Sequence, residues 1–267
     1  MKIALCSNWG APACGVANFG RDFQRALEAA GHEVARVGWG DRPLGATLLI
    51  NWDSGTLPAD QPVPEGSTVF VHHTYRGIPE GLAQARLILS PLPKAGETGS
   101  APWEDFPYPT PAYRSAVAPV LDPVTIGVTT VRKEGVDWLE IAARRFGWTI
   151  AVPDRWRDTE EEIDRLAACT ALALWYRDSP GRSLALQTAL AAQRPLLLTA
   201  CPTMFHDAWG SEEIVWAPET FEIPTIEAML AALVTGATGP SPAIPRRLAQ
   251  RWTWPMAVGY LEALWQR

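Results

Sequence analysis

Short, solidly apolar runs alternate with segments whose apolar side chains recur every three to four residues, and the alternation continues along most of the chain. Lys2–Cys6, Ala46–Ile50, Thr68–Val71 and Arg86–Leu89 offer almost no polar side to water, the pattern of strands covered on both faces of a parallel sheet. Between the first of these and a strand at Glu33–Val37, Val16, Phe19, Phe23, Leu27 and Ala30 line one helical face, and Gly31 supplies the helix end. Strand, glycine-bearing loop, helix and strand make one right-handed βαβ unit. A chain of 267 residues is long for a single doubly wound domain and comfortable for two lobes of roughly 120 residues each.

The alternation stops once. From Pro91 to Pro123 the sequence is Pro, Gly, aromatic and small residues, which predicts a loop and linker after about five N-terminal strands. It restarts with Thr125–Val128, a helix burying Val136, Leu139, Ala143 and Phe146, and a strand at Trp148–Val152. Helix Thr159–Cys169, strand Ala171–Trp175, helix Arg182–Ala192 and strand Leu196–Thr199 follow. The last segment, Arg246–Gln266, repeats Leu248, Trp252, Met256, Tyr260 and Leu264 at helical spacing, with Pro255 expected to break or kink it. The expectation is an α/β protein of two doubly wound Rossmann-like lobes: residues 1–115, residues 116–250, and a C-terminal helix over 251–267.

Hydrophobic residues make up 47% and charged residues 19%, enough apolar surface for a packed core. The net charge of −6 disfavours nucleic acid and anionic lipid as general partners, so any phosphate site must be local. Cys6, Cys14, Cys169 and Cys201 form no C-x-x-C pair and indicate neither zinc nor a disulfide framework. With no leader pattern and no long apolar stretch, a soluble cytoplasmic protein without a membrane span is expected. The 13 Trp residues suit a surface that receives sugars, lipids or proteins.

In open α/β sheets ligands bind at the carboxyl ends of strands, where helix N-termini present unpaired amides. Four loops there carry candidates. Ala11–Val16 matches neither G-x-G-x-x-G nor a P-loop and reads equally as a tight turn. His72-His73-Thr74 follows Thr68–Val71; adjacent side chains of an extended backbone point opposite ways, so one histidine faces the ligand side and His73 is favoured, a loop carbonyl being its alternative partner. Thr125–Gly135 runs through Gly127 into the basic pair Arg132 and Lys133, which a solvated loop would also explain. Trp175–Pro195 places Gly181, Arg182, Ser183 and Leu184 at a helix start, a plain βα turn being the alternative.

Taken in order, these segments resemble the retaining GT-B glycosyltransferases. The segment KIALCSNWGAPACGVANFGRDFQRALEAAGHEV is similar to the family's opening strand, P-x-x-C-G-V/I-A loop, helix and G-H-x-V turn. The resemblance implies that Cys14, Gly15 and Val16 approach the donor phosphate or acceptor, and that His73 lies near the transferred sugar. Arg132 and Lys133 correspond to the family's loop cation that neutralises the diphosphate, although Val128 stands where an Arg often follows the first Gly. Trp175–Pro195 resembles the E-x7-E segment with its following A-L-A. Aligned on Ala189-Leu190-Ala191, Thr188 takes the place of the second Glu, partner of the donor ribose. The first Glu falls near Pro180, with Asp178 the nearest carboxylate. Arg251–Leu261 resembles the terminal helix that crosses back onto the first lobe.

The resemblance implies an acceptor-side lobe and a donor-binding lobe facing a cleft. It implies a retaining, metal-independent transfer of a sugar from a nucleoside diphosphate sugar, such as a UDP-sugar, to an unidentified acceptor hydroxyl. His73 and Asp178 would act at the reacting sugar. Gly15, Val16, Arg132, Lys133, Gly181, Arg182, Ser183, Leu184 and Thr188 would hold the donor, with no cofactor. Two alternatives stay open: a binding or scaffolding protein on the same fold without the carboxylates, and a glycosyltransferase acting on modified nucleic-acid bases.

Overall fold

The computed structural model describes residues 1–10, 15–41, 43–53, 57–58, 60–72, 79–91, 101–129, 135–155, 157–175, 183–200, 208, 211–217, 222–240 and 242–267. The chain divides into two compact units, Met1–Pro107 with Trp254–Arg267, and Tyr108–Thr253.

The first unit is built on six parallel strands, β1 (Lys2–Cys6), β2 (Glu33–Val37), β3 (Thr47–Trp52), β4 (Thr68–Val71), β5 (Leu87–Ser90) and β6 (Trp103–Asp105), in the order β2-β1-β3-β4-β5-β6. Helix α1 (Gly15–Ala29) connects β1 to β2 and buries Phe19, Phe23 and Leu27. It stops where expected: Gly31, at φ 86°, turns the chain, and the His32 amide returns to the Leu27 carbonyl at 3.1 Å. Alternation along the strands sorts the core into two layers. Asn51, Phe70 and His72 are on the α1 side, whereas Ile50, Trp52, Val69, Val71 and Ile88 join Val63, Leu82 and Ala85 on the other. Strand β6 corrects the reading of 91–123 as loop and linker throughout. A three-residue edge strand needs one neighbour only, so a proline-flanked segment can supply it: Ile88 N–H donates to Pro102 and Phe106 N–H to Ser90, both at 2.9 Å.

The C-terminal helix (Trp254–Trp265) packs into this unit beside α1. Trp254 lies 5.2 Å from both Phe19 and Phe23, ring centre to ring centre. Trp265 Nε1 donates to Thr68 Oγ1 at 2.9 Å, and Tyr260 donates to Glu104 at 3.1 Å. The helical segment expected over 246–266 is two helices, but the break is not at Pro255: residues 251–253 interrupt it, and Pro255 sits in the first turn of the second piece, where its missing N–H costs nothing. The interruption shifts the buried face to Trp254, Ala257, Val258, Leu261, Leu264 and Trp265, leaving Met256 exposed.

The second unit carries β7 (Thr125–Gly127), β8 (Thr149–Ala151), β9 (Ala171–Leu174), β10 (Leu196–Thr199) and β11 (Val215–Ala217), all parallel, in the order β11-β10-β9-β7-β8. In both sheets the first strand is flanked by the second and the third. Helices α2 (Val136–Arg144) and α5 (Ile223–Thr238) cover one face, and α3 (Thr159–Ala167), α4 (Leu184–Ala191) and α6 (Arg246–Gln250) the other. Phe146 leaves the expected face of α2: the helix ends at Arg144, and the ring stacks on Trp148 at 4.4 Å in a half-exposed turn. Ahead of β7 the chain is fastened by Tyr113 and Ser115, which both donate to the Asp164 carboxylate, and by Val120, which exchanges bonds with Ala168 and Thr170.

Candidate functional site

In the second sheet the connections part on either side of β7, between it and β9, and the carboxyl ends of these two strands are where such a sheet offers a ligand site. Gly127 closes β7 because no side chain fits: a Cβ there would lie 2.8 Å from Cys169 Sγ and 3.0 Å from Leu172 Cδ2. Beyond it, Arg165 on α3 donates to the carbonyls of Val128 and, at 3.2 Å, Ala151, while pairing with Glu162. The guanidinium thereby anchors the chain as it leaves both β7 and β8. Thr129, the next residue, is buried, and its hydroxyl has no hydrogen-bond partner among the described residues.

The chain re-enters at Gly135, which opens α2 at φ 80°. Its α-carbon faces the indole of Trp175, so that a Cβ would meet Cδ1 at 2.4 Å and Nε1 at 2.9 Å. Trp175 is the residue after β9 and is buried in the α2-side core. The segment following β7 therefore ends against the residue from which the segment following β9 departs. That second segment lands on Ser183, the N-cap of α4, whose hydroxyl accepts from the Leu186 amide at 3.2 Å. The amides of Leu184 and Ala185 precede the capped one, at the positive end of the helix dipole. Thr188, one turn on, bonds its hydroxyl back to the Leu184 carbonyl at 3.2 Å.

Gly15 and Val16 form the first turn of α1 in the other unit. Cys14, His73, Arg132, Lys133, Asp178, Gly181 and Arg182 lie outside the described residues. His72, the less favoured of the two histidines, is buried, its ring edge-on to Phe19 at 4.8 Å and its Nε2 against Asn51 Oδ1 at 2.5 Å. Sequence reasoning passed over Asn51, Ser7, Gly20 and Arg165. Asn51 had a signal: it is the one polar side chain in the run Leu48-Leu49-Ile50-Asn51-Trp52. Among the described residues no three His, Cys, Asp or Glu side chains gather as a metal site, and no helix is long and apolar enough to cross a membrane.

No protein-family model and no curated protein matches the sequence. Solved structures do. Sucrose-phosphate synthase from Thermosynechococcus elongatus aligns over 100% of this chain and 98% of its own with a TM-score of 0.68 at 12% identity. An alpha-glucosyltransferase in complex with UDP aligns over 100% of both chains with a TM-score of 0.61 at 12% identity. AviGT4, a glycosyltransferase involved in avilamycin A biosynthesis, aligns over 100% of this chain and 97% of its own, with a TM-score of 0.57 at 16% identity. The alpha-glucosyltransferase is also known with UDP and a 13-mer DNA containing an HMU base.

The chain has the GT-B fold. Within that GT-B framework the second sheet carries, at four strand and helix ends, a capped helix start, a buried hydroxyl with no partner among the described residues and a glycine turn held on an indole. Each is a neutral device that leaves amide and hydroxyl donors in place, and the adjoining segments add the cations Arg132, Lys133 and Arg182 by sequence. Such a set suits a polyanion.

Proposed function

We propose that this protein is a glycosyltransferase that moves a sugar from a nucleoside diphosphate sugar, a UDP-sugar being the first candidate, to an acceptor hydroxyl. The observation that carries the reading is the Gly135–Trp175 contact. It sets the residue that closes the segment after β7 beside the residue that opens the segment after β9, which supports assigning Arg132 and Lys133 from one, and Gly181, Arg182 and the Ser183 helix start from the other, to a single diphosphate. The bond from the anomeric carbon to the diphosphate oxygen breaks, the acceptor oxygen replaces it, and the acceptor proton passes to the departing diphosphate or to water. Negative charge then accumulates on the departing diphosphate, where fixed amides and cations lower the barrier. Thr129 and Thr188 are assigned neutral contacts to phosphate or ribose. His73 and Asp178 remain the groups assigned to the reacting sugar, and Gly15 and Val16 are assigned to the donor from the first unit. Retention of configuration, and a reaction without metal or cofactor, complete the proposal.

The test is titration with UDP and UDP-sugars, followed by donor turnover. Binding raises the melting temperature by mass action, and Lys133→Ala weakens it by about tenfold or more. Full donor affinity and turnover in Lys133→Ala would refute the assignment. Turnover that survives chelation, with a product of unchanged anomeric configuration by NMR, supports the metal-independent, retaining form.

One observation favours a second reading. The residue aligned with a donor-ribose carboxylate is Thr188, and its hydroxyl is engaged with its own helix. A protein on this fold that holds a nucleotide without chemistry would show UDP binding and release no free sugar from any UDP-sugar. The DNA seen with a structural neighbour makes a modified base one acceptor to try, against the unfavourable net charge of −6.

A further inference from the structure

Buried among the aromatic rings of the first unit is a chain of polar groups with no obvious structural need. Ser7 follows β1, Asn51 ends β3 but for one residue, His72 follows β4, and all three are at most 5% exposed. The amide of Asn51 joins them. Its Nδ2 donates to Ser7 Oγ at 2.9 Å and to the Val16 carbonyl, in the first turn of α1, at 3.0 Å. A carbonyl only accepts, so the amide orientation is fixed with Oδ1 toward His72. Oδ1 only accepts in turn, so His72 carries its proton on Nε2. Phe19 and Phe70 enclose the imidazole at 4.8 and 4.6 Å. Gly20 lets α1 lie directly on the network, since a Cβ there would be 2.4 Å from Ser7 Oγ and 2.9 Å from Asn51 Nδ2.

An apolar residue in place of Asn51 would spare the cost of burying these groups. A fully satisfied buried network instead specifies one arrangement of the elements that it joins. Here those elements are the carboxyl ends of β1, β3 and β4 and the first turn of α1. The loop after β1 arrives at Gly15 and Val16, and the chain passes from His72 straight into His73. We infer that Asn51 is a positioning residue: through Val16 and His72 it sets where the loops after β1 and β4 meet the sheet, and so places the first unit's contribution to transfer. The inference rests on the glycosyltransferase reading for its catalytic meaning and on geometry alone for its structural part. His72 is then a fixed Nε2–H donor to Asn51 with no acid–base part.

Three variants of the full chain test it: Asn51→Leu, Asn51→Asp and His72→Gln, whose amide can still donate to Asn51. With 15N-histidine labelling, the His72 Nε2–H gives a slowly exchanging NMR signal in the parent and loses it in Asn51→Leu. Amide exchange in the first turns of α1 becomes about tenfold faster in Asn51→Leu, with β7 and β9 unchanged. In kinetics, both Asn51 variants lose about tenfold to hundredfold in kcat for donor turnover, with a much smaller loss of UDP affinity, because Val16 is only one of the contacts assigned to the donor. His72→Gln keeps turnover and its pH profile. Unchanged exchange at α1, or loss of UDP affinity in step with kcat, overturns the inference. A parent that never binds UDP sinks the glycosyltransferase reading alone, and the NMR and exchange results still decide the structural claim.

Discussion

Gly135 rests against the indole of Trp175 so closely that even a methyl group on it would fall 2.4 Å from Cδ1. Two costs follow for Gly135→Ala. A left-handed backbone is unfavourable for any residue with a Cβ by about 1–2 kcal/mol. The collision adds overpacking, about 1–3 kcal/mol, because the buried indole has nowhere to swing. Gly147 separates the terms: it lies in the same unit at φ 70°, with nothing within 4 Å of an added Cβ. Urea denaturation is expected to show Gly147→Ala costing about 1–2 kcal/mol and Gly135→Ala at least about 1 kcal/mol more. Equal losses would mean that the indole contact is not maintained in solution.

Gly20 poses the opposite conflict. In mid-helix, alanine is favoured over glycine by about 1 kcal/mol. A Cβ here, however, meets Ser7 Oγ at 2.4 Å and Asn51 Nδ2 at 2.9 Å, both held by hydrogen bonds in a buried network. Overpacking exceeds propensity, so Gly20→Ala destabilises by about 1–2 kcal/mol. Ser7→Ala removes the nearest obstructing atom. The double variant should lose less than the sum of the singles by about 1 kcal/mol, a coupling that a double-mutant cycle measures directly. Additive losses would place the clash elsewhere.

Much of this arrangement was legible in advance, for reasons that differ between elements. Strands Lys2–Cys6, Glu33–Val37, Thr68–Val71 and Leu196–Thr199 announced themselves as apolar or β-branched runs between breakers, and their bounds coincide with the reading. Helix α5 did not: Ile223–Thr238 is apolar nearly all round, so no periodicity marks it. Strand β6 is Trp-Glu-Asp and only partly buried, so no apolar run marks it; β11, Val215–Ala217, follows no segment of legible helical period. At the candidate site, the helix start around Arg182–Leu184 was visible from the local pattern, whereas the capping role of Ser183 comes from the structure. The closeness of Gly135 to Trp175, and the network through Asn51, depend on strands distant in sequence; neither propensity nor spacing encodes them. Phe146 shows the converse error: helical spacing extends the element two residues past the point where Arg144 ends α2.

The C-terminal helix is expected to be a structural part of the first unit, held by packing and not by its charges. Trp254 is buried and lies 5.2 Å from both Phe19 and Phe23. Truncating it removes a buried indole from that layer, so Trp254→Ala should cost about 3–5 kcal/mol. Met256, two residues on and 48% exposed, serves as the comparison, and Met256→Ala should change stability by less than about 0.5 kcal/mol. Comparable effects of the two in denaturant melts would contradict the burial pattern that follows from the break at 251–253.

Cys169 gives the pH dependence a defined sign. Its thiol is buried against Gly127 and α3, donates to the Arg165 carbonyl at 3.4 Å, and burial pushes its pKa above the ordinary thiol range. The folded state therefore holds this proton more tightly than the unfolded chain does. The stability it contributes is complete below the unfolded thiol pKa, about 8.5, and is lost as pH rises from there through the folded value. Between pH 8 and 10 the parent should lose more stability than Cys169→Ala does, and subtracting the two curves removes the alkaline titration of Tyr113 and Tyr260, which both are also raised. The same burial should make iodoacetamide labelling of Cys169 at pH 8.5 at least about tenfold slower in native than in urea-unfolded protein, read by peptide mass spectrometry. Native labelling at the unfolded rate, or identical pH slopes for parent and variant, would show that the thiol ionises as freely in the fold as out of it.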